Sequence, residues 1–466
     1  MYIWLLSTIF TMILIRITVT WWYKMLDGNV GASLIKQRYV YNSDASWVVH
    51  LVNSIGYTLK VLFNYELYCV SSFEWFKKKA IEENRRNLNG FQLTDFGDER
   101  EMNLFEKNHL NQVALYRSDP FFSTVNLAVR QTLFLETMKE RLRIVHQLKA
   151  HPEIRRINID SPICILGQLR TGTTLLYNLL ALDPLACFMT FDSAIHPSLP
   201  WNSNGNEPDS RVKNTERLVR EFKGLMPNFD QAHYFDTRAP EECILTLISM
   251  GVDYGSLIGG KDLACLKYLF DDTNFEQVYE YHRLLMQFLC YKKQGFTAKN
   301  NYCLFKCPLH TLQLPALLKV YKNARVIITH RDLSEVVPSF ANLMEISSNS
   351  SYIDRFDIGR KALQLCGLFA DILVKETALE SNKRNFIHVS YLDLMKDPHQ
   401  VIKNIYLQCQ LDYTQEFDQK ITEYLQQNPQ GKHGRHKYSL AKYGLSEVEV
   451  RYRFDAYSKA FLANKT

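Results

Sequence analysis

The sequence predicts an α/β chain: a parallel sheet flanked by helices, preceded by a helical region and, at its start, a membrane anchor. Three observations point there. Four short apolar runs, Ile163–Leu166, Tyr302–Phe305, Arg325–Thr329 and Phe386–Val389, alternate with helical patterns at 174–182, 309–321, 359–380 and 398–410. Strands that alternate with helices build parallel sheets covered on both faces. The first run passes through a glycine-bearing loop directly into a helix. Residues 2–23 carry one charge, Arg16, over a length that spans a bilayer core as a helix.

From the start of the chain, Trp21, Trp22 and Tyr23 suit the headgroup level, and Arg16 can snorkel toward the same interface as Lys24. A cleaved signal peptide and a buried core helix are the competing readings; no basic segment precedes the apolar run, which argues against cleavage. The basic residues follow it, so the positive-inside rule places the rest of the chain in the cytosol. Residues 47–67 read as a helix facing the core or a membrane interface. Lys77 to Arg100 reads as a surface segment with a loop near Gly90, and 126–150 as an amphipathic helix. Residues 190–300 interrupt the α/β rhythm with mixed helices and loops, an insertion on the acceptor side. The expected divisions are an anchor at 1–25, a mostly helical region at 26–158 and an α/β domain at 159–460.

The composition is that of a globular protein, with 46% hydrophobic and 22% charged residues. A net charge of +6 over 466 residues suits an anionic small ligand or a membrane surface and is too diffuse for nucleic acid. The ten cysteines form no CxxC, so they read as reduced, buried thiols and show no metal-ligand spacing.

The loop carries the chemistry. GQLRTGTT (167–174) follows the phosphate-binding pattern G-x-x-x-x-G-K-[ST] at Gly167, Gly172 and Thr174, with Thr173 where that pattern has lysine. In a strand–loop–helix context the backbone N–H groups point at an anion and the helix dipole favours it. Thr173 and Thr174 offer hydroxyls, Gly172 a close backbone approach, and Arg170 a positive charge. This P-loop-like strand has no clear acidic partner to hold Mg²⁺, because RVIIT runs into His330 and Arg331 before Asp332.

The segment GQLRTGTTLL resembles the 5′-phosphosulfate loop of sulfotransferases that use 3′-phosphoadenosine 5′-phosphosulfate (PAPS). ARVIITHRDLSEVVPSFANL (324–343) resembles that family's 3′-phosphate element, in which Arg331 and Ser339 take the matching positions and Leu333 replaces a proline. LFKCPLHTLQLPALL (304–318) resembles the segment bearing a strand-end lysine, here Lys306. HVSYLDLMKDP (388–398) places Tyr391 where an aromatic residue lies near adenine. These motifs run over about 162–398 and resemble the widespread branch with bacterial and animal members.

The resemblance implies sulfuryl transfer from PAPS, without metal, to a hydroxyl or amine of a carbohydrate, lipid or small molecule. It implies a single-pass Golgi or ER membrane location with a luminal domain, against the charge rule. Arg170 and Lys306 are the expected catalytic cations. The general base is open among His310, Asp192 and the pair Glu241–Glu242. Thr171, Gly172, Thr173, Thr174, Arg331, Ser339 and Tyr391 complete the donor site, with Lys432 or Arg435 near the 3′-phosphate. Asn349 and Asn464 carry glycosylation patterns. Two other classes stay open at this level: a P-loop-type nucleotide phosphotransferase, which requires Mg²⁺, and a non-catalytic membrane-tethered binding protein with this fold.

Overall fold

The computed structural model describes residues 39–463 apart from 42–45, 64–71, 89, 119–123, 160, 201–209, 226–235, 256, 258–262, 264, 294, 299–300, 349–351 and 430–438. The expected anchor at 2–23, Lys432, Arg435, Asn349 and Asn464 lie outside the described residues. Among the described residues, no helix is long and apolar enough to cross a membrane.

The strands are β1 (Tyr39–Tyr41), β2 (Ile163–Gly167), β3 (Ala186–Phe188), β4 (Tyr302–Lys306), β5 (Arg325–His330), β6 (Tyr352–Asp354) and β7 (Phe386–Ser390). Five of them form one parallel sheet in the order β3-β4-β2-β5-β7. The sheet, with helices on its faces, is the predicted α/β architecture. β2 lies at the centre, with Cys164 opposite Phe305 on one side and Val326 on the other. β1 and β6 make a separate antiparallel pair.

Alternation along the strands divides the core. Cys164, Leu166 and Phe305 face one cluster with Tyr279, Leu317 and Phe369. Ile163, Ile165 and Leu304 face the other with Leu176, Tyr177 and Ile402. Every residue of β2 and β4 is buried, as expected of strands covered on both sides.

Among the described residues, four α-helices precede the sheet: α1 (Trp47–Phe63), α2 (Phe73–Asn87), α3 (Glu99–Ser118) and α4 (Thr124–Ala150). The segment expected to be surface from Lys77 is therefore helical in its first half. Phe73, Phe76, Ala80 and Asn84 recur at helical spacing and are buried, so the charged residues between them form the outer face of α2. Phe76 packs on Phe134 of α4 with ring centroids 4.7 Å apart, and Ser72 caps the first turn through the Trp75 N–H.

α4 also fastens the insertion. Its buried Glu140 accepts hydrogen bonds from Arg143 (2.6 Å) and from the Ser198 hydroxyl (2.6 Å), and lies 3.6 Å from Arg211. These contacts tie Ser198 and Arg211 to α4. The nine described cysteines are free thiols, eight of them buried.

Candidate active site

All five parallel strands end at one edge, the place where open α/β sheets bind ligands. At the end of β2, Gly167 has φ +129°, and an added Cβ would sit 2.8 Å from the Thr329 carbonyl oxygen. Glycine is what allows β2 to run this close to β5 at its last residue. The loop beyond it is pinned from beneath. The Thr311 hydroxyl bonds the Gly167 N–H (3.2 Å) and carbonyl (3.1 Å), and the Gln168 amide donates to the Cys366 carbonyl at 2.8 Å. The Thr171 hydroxyl donates to the Gln168 carbonyl at 2.6 Å and lies 2.5 Å from the Thr329 hydroxyl. That hydroxyl is committed inside the loop, so Thr171 has its backbone N–H left to offer an anion.

Helix α5 (Thr173–Leu180) starts at the loop's end with Gly172 at φ +88° as N-cap. No side chain caps this first turn, which leaves its N–H groups for a ligand. Thr173 is buried and Thr174 exposed. Arg170 sits at φ +63°, a left-handed conformation that costs a non-glycine residue energy and that recurs at binding sites.

From this left-handed backbone Arg170 reaches a serine on the helix that follows β5. The helices on this side are α6 (Phe275–Lys292), which packs beneath the sheet, and α7 (Leu333–Ile346), which follows β5. Arg170 Nε donates to Ser339 Oγ on α7 at 3.1 Å. Arg331, just past β5, donates through one terminal nitrogen to the Arg170 carbonyl at 3.1 Å. Its guanidinium lies 4.2 Å from the centroid of the Tyr391 ring, which follows β7. The same ring closes on the loop, because a Cβ on Gly172 would meet it at 3.1 Å. Arg170, Arg331, Ser339 and Tyr391 thus form one contiguous patch from three strand ends and a helix. Glu335, one turn into α7, accepts two hydrogen bonds from Arg331 at 2.6 and 2.9 Å.

On the other side of the loop, Lys306 is the last residue of β4 and is 1% exposed. Its Nζ lies 2.5 Å from Glu242 Oε1, 3.5 Å from Thr174 Oγ1 and 5.7 Å from the centroid of the Tyr177 ring. Glu242 is held by its neighbours: Glu241 N–H donates to the Met189 carbonyl, and Cys243 N–H to the Lys306 carbonyl. A buried ammonium needs such a partner, since desolvation makes an unpaired charge costly.

The two remaining candidates are not brought into this contact set. Asp192, near the end of β3, accepts a hydrogen bond from Thr215 at 3.0 Å. His310 lies in a short 3-10 turn, Pro308–Gln313, that folds under the sheet. It is fully buried against Phe305, whose side chain faces away from that of Lys306, and its Nδ1 meets the Tyr279 hydroxyl at 3.0 Å. Burial, then the neighbouring His282, hold its imidazole well below the usual histidine range. Glu242 is the candidate that reaches Lys306.

The arrangement is a helix-start anion cradle with two cationic flanks, one buried and one stacked on an aromatic ring. The family model for sulfotransferases matches residues 162–415, more than half of the chain. The chain belongs to the sulfotransferase family. Two solved sulfotransferases share its fold: STF9 from Mycobacterium avium (TM-score 0.72, 21% identity, 85% of this chain and 98% of that one) and STF1 from Mycobacterium tuberculosis H37Rv (TM-score 0.67, 21% identity, 83% and 99%). No curated protein matches.

Within this sulfotransferase, the structure adds residues that the motifs do not reveal. Thr311 and Thr329 brace the loop, and Glu335 holds Arg331. A signal existed for two of them. Thr329 is a polar residue closing an apolar run, and Glu335 stands four residues after Arg331 on a helix. Thr311 is recognisable only from the fold.

Proposed function

We propose that this sulfotransferase transfers a sulfuryl group from PAPS to a hydroxyl or amine of an acceptor, with Lys306 and Glu242 as its central pair. The observation that carries the reading is that pair: an ammonium and a carboxylate 2.5 Å apart, beside the first turn of α5.

The donor set fits PAPS in kind. Two anionic ends need two cationic patches, and the loop has one on each flank. The α5 N–H groups and Arg170 would hold the phosphosulfate, and Arg331 with Ser339 the 3′-phosphate. Tyr391, beside Arg331, would stack near the base. PAPS, when bound, supplies the activated sulfuryl group and leaves as adenosine 3′,5′-bisphosphate.

The chain's own residues do the rest. Glu242 takes the proton of the acceptor as its oxygen or nitrogen bonds to sulfur. Lys306 and Arg170 stabilise negative charge on the departing phosphate oxygen as its bond to sulfur breaks. Lys306 quenched by Glu242 is inert until acceptor and donor are both in place; protonation of Glu242 then releases the full ammonium charge toward the leaving oxygen.

The test is calorimetry with adenosine 3′,5′-bisphosphate in EDTA, paired with transfer from PAPS to a panel of hydroxyl and amine acceptors. The bisphosphate binds without metal, and Glu242→Gln lowers turnover by about 10²-fold or more while binding persists. Absence of bisphosphate binding to the folded chain overturns the assignment, as does full turnover by Glu242→Gln.

A further inference from the structure

On the face of the sheet away from Lys306, three side chains converge that the transfer reaction does not use. Cys243, His282 and His310 each present one ligand atom, and the three atoms lie within 4.8 Å of one another. Their exposures are 0, 1 and 0%. They come from separate rigid segments. Cys243 caps the short helix Ile244–Ile248, His282 sits in the middle of α6, and His310 lies in the turn after β4.

Each histidine has its Nδ1 held by a tyrosine hydroxyl. His282 Nδ1 lies 2.8 Å from the Tyr321 hydroxyl, and His310 Nδ1 3.0 Å from the Tyr279 hydroxyl. With Nδ1–H donating to the tyrosine oxygen, which a hydroxyl can accept, Nε2 keeps its lone pair for an ion. In both residues that other nitrogen, Nε2, is buried and has no hydrogen-bond partner. His109 and His196 also bury a ring nitrogen without a hydrogen-bond partner; His282 and His310 differ in that both lie beside the same thiol, which calls for an explanation. Dispersion alone does not provide one, because a core needing only bulk at these positions takes apolar side chains of similar size.

We propose that Cys243, His282 and His310 bind a thiophilic d¹⁰ cation, zinc(II) or copper(I). Two imidazoles and a thiolate are a borderline-to-soft donor set, which suits these ions over magnesium or calcium. Binding displaces the Cys243 thiol proton to solvent; the neutral imidazoles lose none. One thiolate neutralises copper(I). For zinc(II), Cys307 and Cys164 are further buried thiols of the same core cluster. Cys243 directly follows Glu242, and His310 lies in the turn that follows Lys306. An ion here ties together, from behind, the two segments that hold the pair at the reacting edge. The ligands are scattered along the chain, which is why no spacing motif announces them.

The full chain, stripped by EDTA and desalted, is titrated anaerobically with cobalt(II) as the spectroscopic probe for zinc, and separately with copper(I) against a chromogenic competitor. Uptake of about one ion per chain, with a thiolate-to-cobalt charge-transfer band in the zinc arm, is expected. Cys243→Ala and His282→Gln lose the band and at least tenfold in affinity, while Cys409→Ala, outside the cluster, keeps both. Loss of zinc-type but not copper-type binding in Cys307→Ala assigns the second thiolate. Failure of the unmodified chain to retain either ion overturns the proposal whatever the variants do, and so does unchanged affinity in folded Cys243→Ala.

Discussion

Lys306 and Arg331 are both cations at strand ends, yet their surroundings give them different work. Lys306 is sealed in and paired to one carboxylate, so its charge is felt where charge develops during reaction. Lys306→Ala should lower turnover by about 10²-fold or more, the scale of one lost electrostatic donor, with bisphosphate affinity nearly kept. Near-normal turnover in a folded Lys306→Ala removes it from the mechanism. Arg331 is 21% exposed on its side chain and shares its donors between a carbonyl and Glu335, which is 58% exposed. Arg331→Ala should weaken bisphosphate binding by about 1.5–3 kcal/mol, roughly ten- to over a hundredfold. Glu335→Gln should move affinity the other way. A surface ion pair is worth about 0–1 kcal/mol, and an arriving phosphate has to displace this one. Calorimetry on the two variants separates the outcomes; weaker binding by Glu335→Gln means that the carboxylate positions Arg331 and does not compete for it.

Among the elements, α3 carries a pH sensitivity. Its His109 stacks on Phe134 at 3.7 Å and meets Phe76 edge-on, and burial lowers its pKa to about 4. A histidine depressed in the folded state keeps its stabilisation above the unfolded value of 6.5 and loses it as pH falls toward 4. The slope is about 1.4 kcal/mol per pH unit in that window. Between pH 7 and pH 5 the loss of stability in urea unfolding should therefore be about 2 kcal/mol smaller in His109→Phe than in the parent, since His282 and His310 are depressed in both; equal losses in both proteins refute the assignment. The strands show what local pattern can and cannot reveal. Buried parallel strands read as continuous apolar runs, so β2, β4, β5 and β7 are legible from residues alone. Each reads one residue short, because Gly167, Lys306, His330 and Ser390 end the strand with a glycine or a polar residue; Gly167 and Lys306 belong to the site. β3 is three residues inside the apolar run Leu185–Met189, a short signal after Pro184 that the expected set of strands omits. The partnership of Lys306 with Glu242 joins residues 64 apart, so the carboxylate stands among equals until the sheet is seen. His310 reads as a mouth residue by its distance from Lys306, and the 3-10 turn carries it underneath instead.

At the scale of the molecule, the cradle, the stacked arginine and the buried lysine all depend on one edge of one sheet, and the N-terminal helices brace the insertion beside it. We propose that residues 2–23, outside the described part, hold the chain on a membrane. Carbonate-washed membranes should retain the full chain and release one that starts at residue 30; release of both alike discards the anchor. The small pair of β1 with β6 has a bearing on how such a chain is made. Tyr39 pairs with Asp354, so 354 − 39 = 315 further residues must be synthesised before the first strand has its partner. At roughly 5–20 residues per second, that is about 15–60 s during which Tyr39–Tyr41 has no partner strand. Delivery to a membrane fits into that interval, and it closes when the strand is claimed by the finished domain.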